Sequence, residues 1–163
     1  EMLYGSGIRV SELVNLSLSN LFFEENLIRV TGKGNKQRLV PMGKFTKKFI
    51  LFYINDSRTL QKIDSVYQDI VFLNRNGKIL TRQMIFTIIK QLALKANIKK
   101  KIGPHTFRHS FATHLLENGA DLRTIQILMG HENITTTEVY THLDTQHLRS
   151  VIERFHPRDG SKR

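Results

Sequence analysis

Residues 104–140 read PHTFRHSFATHLLENGADLRTIQILMGHENITTTEVY, and the spacing of apolar and polar residues along this stretch decides how the chain is read. Phe107, Phe111, Ala112, Leu115 and Leu116 recur every three or four positions, which buries one helical face and leaves His105, Arg108 and His109 near the helix start. Gly119 ends that helix. Asp121 is placed to cap a second helix, with Leu122, Ile125, Leu128 and Met129 on its buried side and Gly130 closing it just before His131. Residues 135–138 have the form of a capping box, so a third helix carries Tyr140. Polar side chains thus stand where one helix begins, where the next has ended and within the one after. Such an arrangement brings dispersed residues to one site.

Composition narrows what that site can serve. A chain of 163 residues has the length of one domain and needs no covalent staple. It has no cysteine, which excludes disulfides and thiolate metal sites and fits a reducing cytosol. No apolar run approaches the roughly 18 residues of a membrane span, and nothing resembles a signal peptide. The expectation is a soluble cytoplasmic protein without a membrane partner. Twenty-five Lys and Arg against 14 Asp and Glu give a net charge of +11. A balance this basic predicts a polyanionic partner, with nucleic acid ahead of a membrane surface because no strongly basic amphipathic helix stands out.

Upstream of residue 104 the pattern alternates between helix and strand. Residues 1–4 read as the end of a helix already under way, as though an N-terminal part preceded them. Gly5-Ser6-Gly7 breaks the chain, and residues 8–16 restart it with Leu13 and Leu16 on one face and Arg9 and Glu12 three apart on another. For those two alone, a surface ion pair is the plain reading. Residues 21–41 switch to β character, with turns at residues 24–26 and 31–36, and predict a small three-stranded antiparallel sheet. Gly32 and Gly34 let backbone approach a partner closely, while Lys33, Lys36 and Arg38 supply positive charge there. A solvated hairpin tip is the competing reading. The loop is no Walker motif, because it lacks the GK[ST] ending and opens no helix.

Residues 44–55 read as a helix with Phe45, Phe49 and Phe52 inward, followed by a linker-like segment over 56–69 and a short strand over 70–73. Asn76-Gly77 marks a turn. Thr81 can cap a long helix whose Met84, Ile85, Ile88, Ile89, Leu92, Ala93 and Ala96 follow the 3.6-residue period and read as core. Lys99, Lys100 and Lys101 form a basic loop before Pro104, either solvated or in contact with phosphates.

Three chemistries use this many histidines. His105 and His109 share a helix face as zinc ligands do, yet Thr106 stands where a metallohydrolase has its Glu, and Arg108 would put a cation inside the cluster. Ser110 and Asp121 could serve a hydrolase, but no nucleophile elbow surrounds the serine. Phosphoryl transfer fits better. Its transition state gathers negative charge on non-bridging oxygens, for which arginine is the best fixed, forked donor. A tyrosine nucleophile suits a basic pocket, because neighbouring cations lower a phenol pKa from its usual value near 10.

Taken together, LYGSGIRVSELVNL (3–16), GKGNKQRLVP (32–41), residues 104–131 and TTTEVYTH (135–142) resemble the catalytic domain of the tyrosine recombinases, close to the Xer-type recombinases and related integrases. The likeness spans almost the whole chain, with only residues 44–76 unspecific. It implies an α+β fold, mainly helical with a small three-stranded antiparallel sheet. It implies a metal-independent enzyme that needs no cofactor and cleaves and rejoins double-stranded DNA through a 3′-phosphotyrosine. Arg9 and Arg108 match the two arginines that clamp the scissile phosphate. Lys33 matches the hairpin lysine that protonates the departing 5′-oxygen. His105 matches the first position of the HxxR element, His131 a histidine that bonds a non-bridging oxygen, and Tyr140 the nucleophile. Glu12 resembles the acidic residue that supports the first arginine, which upgrades the ion-pair reading. His109 and His114 are left as scaffold.

The resemblance also implies tetramers on DNA, held by a C-terminal segment docked into a neighbouring subunit. The amphipathic residues 143–155 suit that role, although without DNA packing on their own core is the expected state and the isolated domain a monomer. Family members carry an N-terminal helical core-binding domain that residues 1–163 do not include. Xer-like resolution of chromosome dimers, at the nucleoid, is the first biological reading. Integration of a mobile element and a catalytically inactive DNA-binding module are the alternatives.

Overall fold

The structure, a computed structural model, describes residues 1–130 and 142–159. His131, Tyr140, the capping box at 135–138 and the helix expected to carry Tyr140 lie outside the described residues. In chain order the elements are α1 (Met2–Ser6), α2 (Val10–Val14), β1 (Leu21–Phe22), β2 (Leu27–Thr31), β3 (Gln37–Pro41), α3 (Lys44–Phe52), α4 (Arg82–Lys95), α5 (Pro104–Glu117), α6 (Leu122–Met129) and α7 (His142–Phe155). The fold is mainly helical with one antiparallel sheet, in the order β1-β2-β3.

The sheet follows the strand period of two. Ile28 faces Val40 and Val30 faces Arg38 across β2 and β3. Ile28, Val30 and Val40 are buried and Arg29 is exposed. One core lies where this sheet meets α1, α2, α3 and α4 and includes Leu3, Ile8, Leu13, Ile50 and Ile85. The second joins α5, α6 and α7 through Phe111, Leu115, Ile125, Leu128, Val151 and Ile152. At their junction α1 packs on α5. Gly7 closes α1 in the left-handed region (φ 61°), and a Cβ there would lie 2.3 Å from the ring of the fully buried Phe111. Only glycine meets both demands. The break after α1 is thus fixed by packing on α5, and it places Arg9 at the N-cap of α2.

The caps around residues 104–130 form as their chemistry predicts. Asp121 accepts a hydrogen bond from the Thr124 N–H (2.8 Å), and Gly130 ends α6 in the left-handed region (φ 63°). Thr81 accepts from the Met84 N–H (3.2 Å) at the start of α4. The C-terminal segment packs on its own chain: Leu148, Val151 and Ile152 of α7 are buried, and His156 beyond them is fully covered.

Several expectations fail, those about helix faces because a helix buries a narrower stripe than its apolar residues offer. In α3 the buried side chains are Thr46 and Ile50, while Phe49 and Phe52 are exposed. The small Thr46 lets α3 approach Gly5, where a Cβ would lie 2.1 Å from its hydroxyl, and that contact turns the phenylalanines outward. Phe45 is half-buried beneath the Arg158 guanidinium, 4.9 Å from its ring centre. In α4 only Ile85, Ile89 and Ala93 are buried; Met84, Ile88, Leu92 and Ala96 are exposed because a single row meets the core. Leu116 and Leu122 are exposed as well. The expected strand over 70–73 is replaced by two isolated bridges, Ser17 with Ile70 and Leu73 with Ile79, since no strand lies alongside to extend a ladder. The segment 56–69 is short helical turns rather than a linker, pinned by the buried Arg58, which donates to the carbonyls of Gln68 and Ile70.

Candidate active site

Three guanidinium groups meet the C-terminal end of α6. Arg38 donates through Nε to the Leu128 carbonyl (3.1 Å), Arg108 to the Met129 carbonyl (2.5 Å) and Arg9 to the Gly130 carbonyl (2.9 Å). These consecutive carbonyls close a helix, where the last acceptors have no intrahelical donor and the helix dipole is negative, so cations are favoured. Arg108 also donates to the Gly7 carbonyl, which ties the HxxR segment of α5 to the break after α1. Arg9 and Arg108, far apart in sequence, are thereby fixed one residue apart along one backbone turn.

A single buried carboxylate organises two of the three. Glu12 accepts from the Arg9 N–H (2.7 Å) and Nη1 (3.0 Å), and from both terminal nitrogens of Arg38 (2.5 and 3.0 Å). Burial alone would raise its pKa. The hydrogen bonds and charge of Arg38, then those of Arg9, outweigh that and hold it below the usual carboxylate range. For Arg108, burial first and then the charges of Arg9 and Arg38 lower the pKa to about 10, with Glu12 opposing. It remains a cation at neutral pH. Among the described residues, three guanidiniums against one carboxylate leave a positive excess in a largely desolvated place, a setting that attracts a phosphate or another compact anion.

The excess opens onto a cleft of about 430 Å³ lined by Arg9, Thr31, Gly32, Lys33, Lys36 and Gly130 among others. Lys33 and Lys36 stand on the exposed turn between β2 and β3, where Gly34 (φ 69°) and Asn35 (φ 59°) adopt left-handed backbone. His105 is exposed on the first turn of α5, three residues before Arg108 and so on the same side of the helix. Among the expected site residues, Arg9, Lys33 and Arg108 are therefore gathered around the end of α6 and the adjoining cleft, with His105 on the helix that carries Arg108. His131 and Tyr140 lie outside the described residues. Among the described residues, no group of three His, Asp or Glu side chains is placed to hold a metal ion. His114 bonds the Tyr4 hydroxyl (2.8 Å), a scaffold contact.

One expectation is corrected. Arg38 cannot touch DNA as a surface cation, because it is only 5% exposed and its donors are committed to Glu12 and Leu128. The strand period held the signal: Arg38 has the parity of the buried Val40, and Leu39 does not. Lys99, Lys100 and Lys101 are exposed and border a separate cleft with Phe86 and Leu94.

With the fold and these contacts in view, the chain belongs to the phage integrase family, the tyrosine recombinases, whose profile matches residues 1–147. Among its relatives, tyrosine recombinase XerD of Staphylococcus aureus (strain N315) is 49% identical over 158 residues, which cover 97% of this chain and 53% of that protein. The chain thus spans about half the length of the curated relatives it matches. The crystal structure of XerA recombinase superposes with a TM-score of 0.74 at 38% identity, covering 96% of this chain and 56% of the other. The Tn1549 transposon integrase, solved in complex with circular intermediate DNA, gives 0.69 at 29% identity, with 90% and 54% covered.

Proposed function

We propose that these residues form the catalytic part of a site-specific DNA recombinase, in a longer protein whose N-terminal domain helps to enclose double-stranded DNA. The observation that carries this reading is the pairing of Arg9 and Arg108 on the adjacent carbonyls of Gly130 and Met129, beside a cleft that Lys33 lines. Two forked cations held this way match the charge of a phosphodiester and, more strongly, of its transition state.

The reaction balances without an added reagent. The Tyr140 oxygen attacks the scissile phosphorus and loses its proton, His105 assists proton transfer or binds the phosphate, and Arg9, Arg108 and His131 hold the non-bridging oxygens. The bond from phosphorus to the 5′-oxygen breaks, and Lys33 protonates the leaving oxygen. A 3′-phosphotyrosine and a free 5′-hydroxyl result. Attack by an incoming 5′-hydroxyl reverses the steps, expels the tyrosine and joins the new strand. Exchange between two sites calls for a tetramer in which α7 or the segment beyond it contacts a neighbour. The 49% identity to a XerD protein favours an Xer-like role in chromosome dimer resolution over mobile-element integration.

The test uses the full-length protein and nicked DNA bearing its site, from which religation is blocked. A covalent protein–DNA adduct accumulates with the native protein and is absent for Tyr140→Phe; an adduct that persists in that variant removes the assignment. Lys33→Ala should bind the same DNA while forming adduct about 10²–10⁴ times more slowly. Adduct formation should survive a chelator.

A further inference from the structure

We propose that Arg38 is a positioning residue of this site, holding Glu12 from the protein interior so that Arg9 keeps donors free for the phosphate. The proposal rests on the reading of Arg9 as a phosphate clamp. It assigns to a strand residue of the sheet a task that neither charge nor motif placed there.

The geometry is a competition for one carboxylate. Glu12 is 3% exposed and accepts four hydrogen bonds, two from Arg9 and two from Arg38. An ionised carboxylate offers about four lone-pair sites, so its capacity is filled. Arg38 takes its share as a fork, Nη1 and Nη2 each on a different oxygen, and its Nε closes on Leu128. Each of the three Arg38 guanidinium nitrogens donates, and the side chain is buried between β3 and the end of α6. Arg9 is left with one guanidinium nitrogen on Glu12 and one on Gly130. Its remaining N–H groups stay unclaimed by those two acceptors, and its side chain is 36% exposed on the cleft.

Without Arg38, half of the acceptor capacity of a buried carboxylate would be unfilled. Leaving it so is unfavourable, and the nearest cation able to fill it is Arg9. Arg9 would rotate into a forked pair with Glu12 and leave the Gly130 carbonyl. Lysine cannot substitute, because one ammonium reproduces neither the fork nor the bond to Leu128. Gly130 belongs to the same device: a Cβ there would lie 2.8 Å from the Arg38 Nε, so only glycine lets the guanidinium reach the helix end.

The test compares native full-length protein with Arg38→Lys, alone and with Arg9→Ala. Misplacing a clamp by about 1 Å should slow single-turnover adduct formation about 100-fold, with DNA affinity within about threefold of native and cooperative melting retained. In the Arg9→Ala background, Arg38→Lys should add little, since its effect passes through Arg9. An unchanged rate in Arg38→Lys, or an equal loss in both backgrounds, overturns the proposal. If Arg38→Lys fails to fold, Arg38→Gln, which keeps a donor for Glu12 but not the fork, is compared in the same two backgrounds and should show the same loss only where Arg9 is retained; an unchanged rate or an equal loss in both backgrounds again overturns the proposal. A readout independent of cleavage separates this proposal from the functional reading: the Arg9 side-chain NMR signals should shift in Arg38→Lys as the guanidinium leaves the Gly130 carbonyl for Glu12. Unchanged signals would sink the positioning role even if no adduct formed in the native protein, and that lack of adduct would count against the functional reading alone.

Discussion

Gly130 shows how much a single residue carries here. Its left-handed backbone ends α6, its carbonyl holds Arg9, and its missing side chain makes room for Arg38. Gly130→Ala should destabilise the fold by about 1–2 kcal/mol from backbone conformation alone, with more from the displaced guanidinium. Urea unfolding measures this directly, and a change below a few tenths of a kcal/mol would mean that the turn relaxes freely. His156 is the other informative residue. Its buried imidazole has a pKa lowered first by desolvation, against the raising effects of the Tyr4 carbonyl and Asp159. The folded state therefore favours the neutral ring. Its contribution to stability is complete above the ordinary imidazole pKa of about 6.5 and declines as pH falls below it, because the unfolded chain takes up the proton more readily. Melting temperature followed between about pH 7 and pH 5 should fall more steeply for the native protein than for His156→Gln.

At the scale of elements, helix ends were legible in the sequence and helix faces were not. Asp121, Gly130 and Thr81 act locally: a side-chain oxygen finds an N–H three residues on, or a backbone adopts positive φ, whatever lies beyond. Asp121→Ala should accordingly cost about 1 kcal/mol. Faces depend on the neighbour. Ile88 and Ile89 of α4 are equally apolar, yet Ile89 is 6% exposed and Ile88 41%. Ile89→Ala is expected to destabilise by about 2–5 kcal/mol and Ile88→Ala by well under 1 kcal/mol, so paired denaturation curves report which row meets the core. The uncovered row of Met84, Ile88 and Leu92 explains why periodicity alone overestimated this core. The same limit applies to the phenylalanines of α3, which a contact between Thr46 and Gly5 turned outward.

For the whole molecule, the +11 charge sets an expectation about binding rather than fold. If the cations around the cleft and along the exposed Lys99–Lys101 loop contact phosphates, DNA affinity should fall steeply with salt. Each phosphate contact removed by substitution should reduce the slope of log affinity against log salt by roughly 1. Lys100→Ala tests this, and an unaltered slope would leave that loop solvated. No helix among the described residues is long and apolar enough to cross a membrane.

The sequence by itself determined the small antiparallel sheet, the capped helix ends and the family, because turns, caps and motif spacing are encoded within a few residues of where they act. It also named Arg9, Lys33, His105 and Arg108 as candidates through the resemblance. Only the tertiary structure decided that Arg38 is an interior partner of Glu12 rather than a surface contact, and that the end of α6 is where three arginines meet. Those facts depend on which face of β3 is covered and on which carbonyls a neighbouring helix leaves unpaired, and both arise when segments distant in sequence pack together.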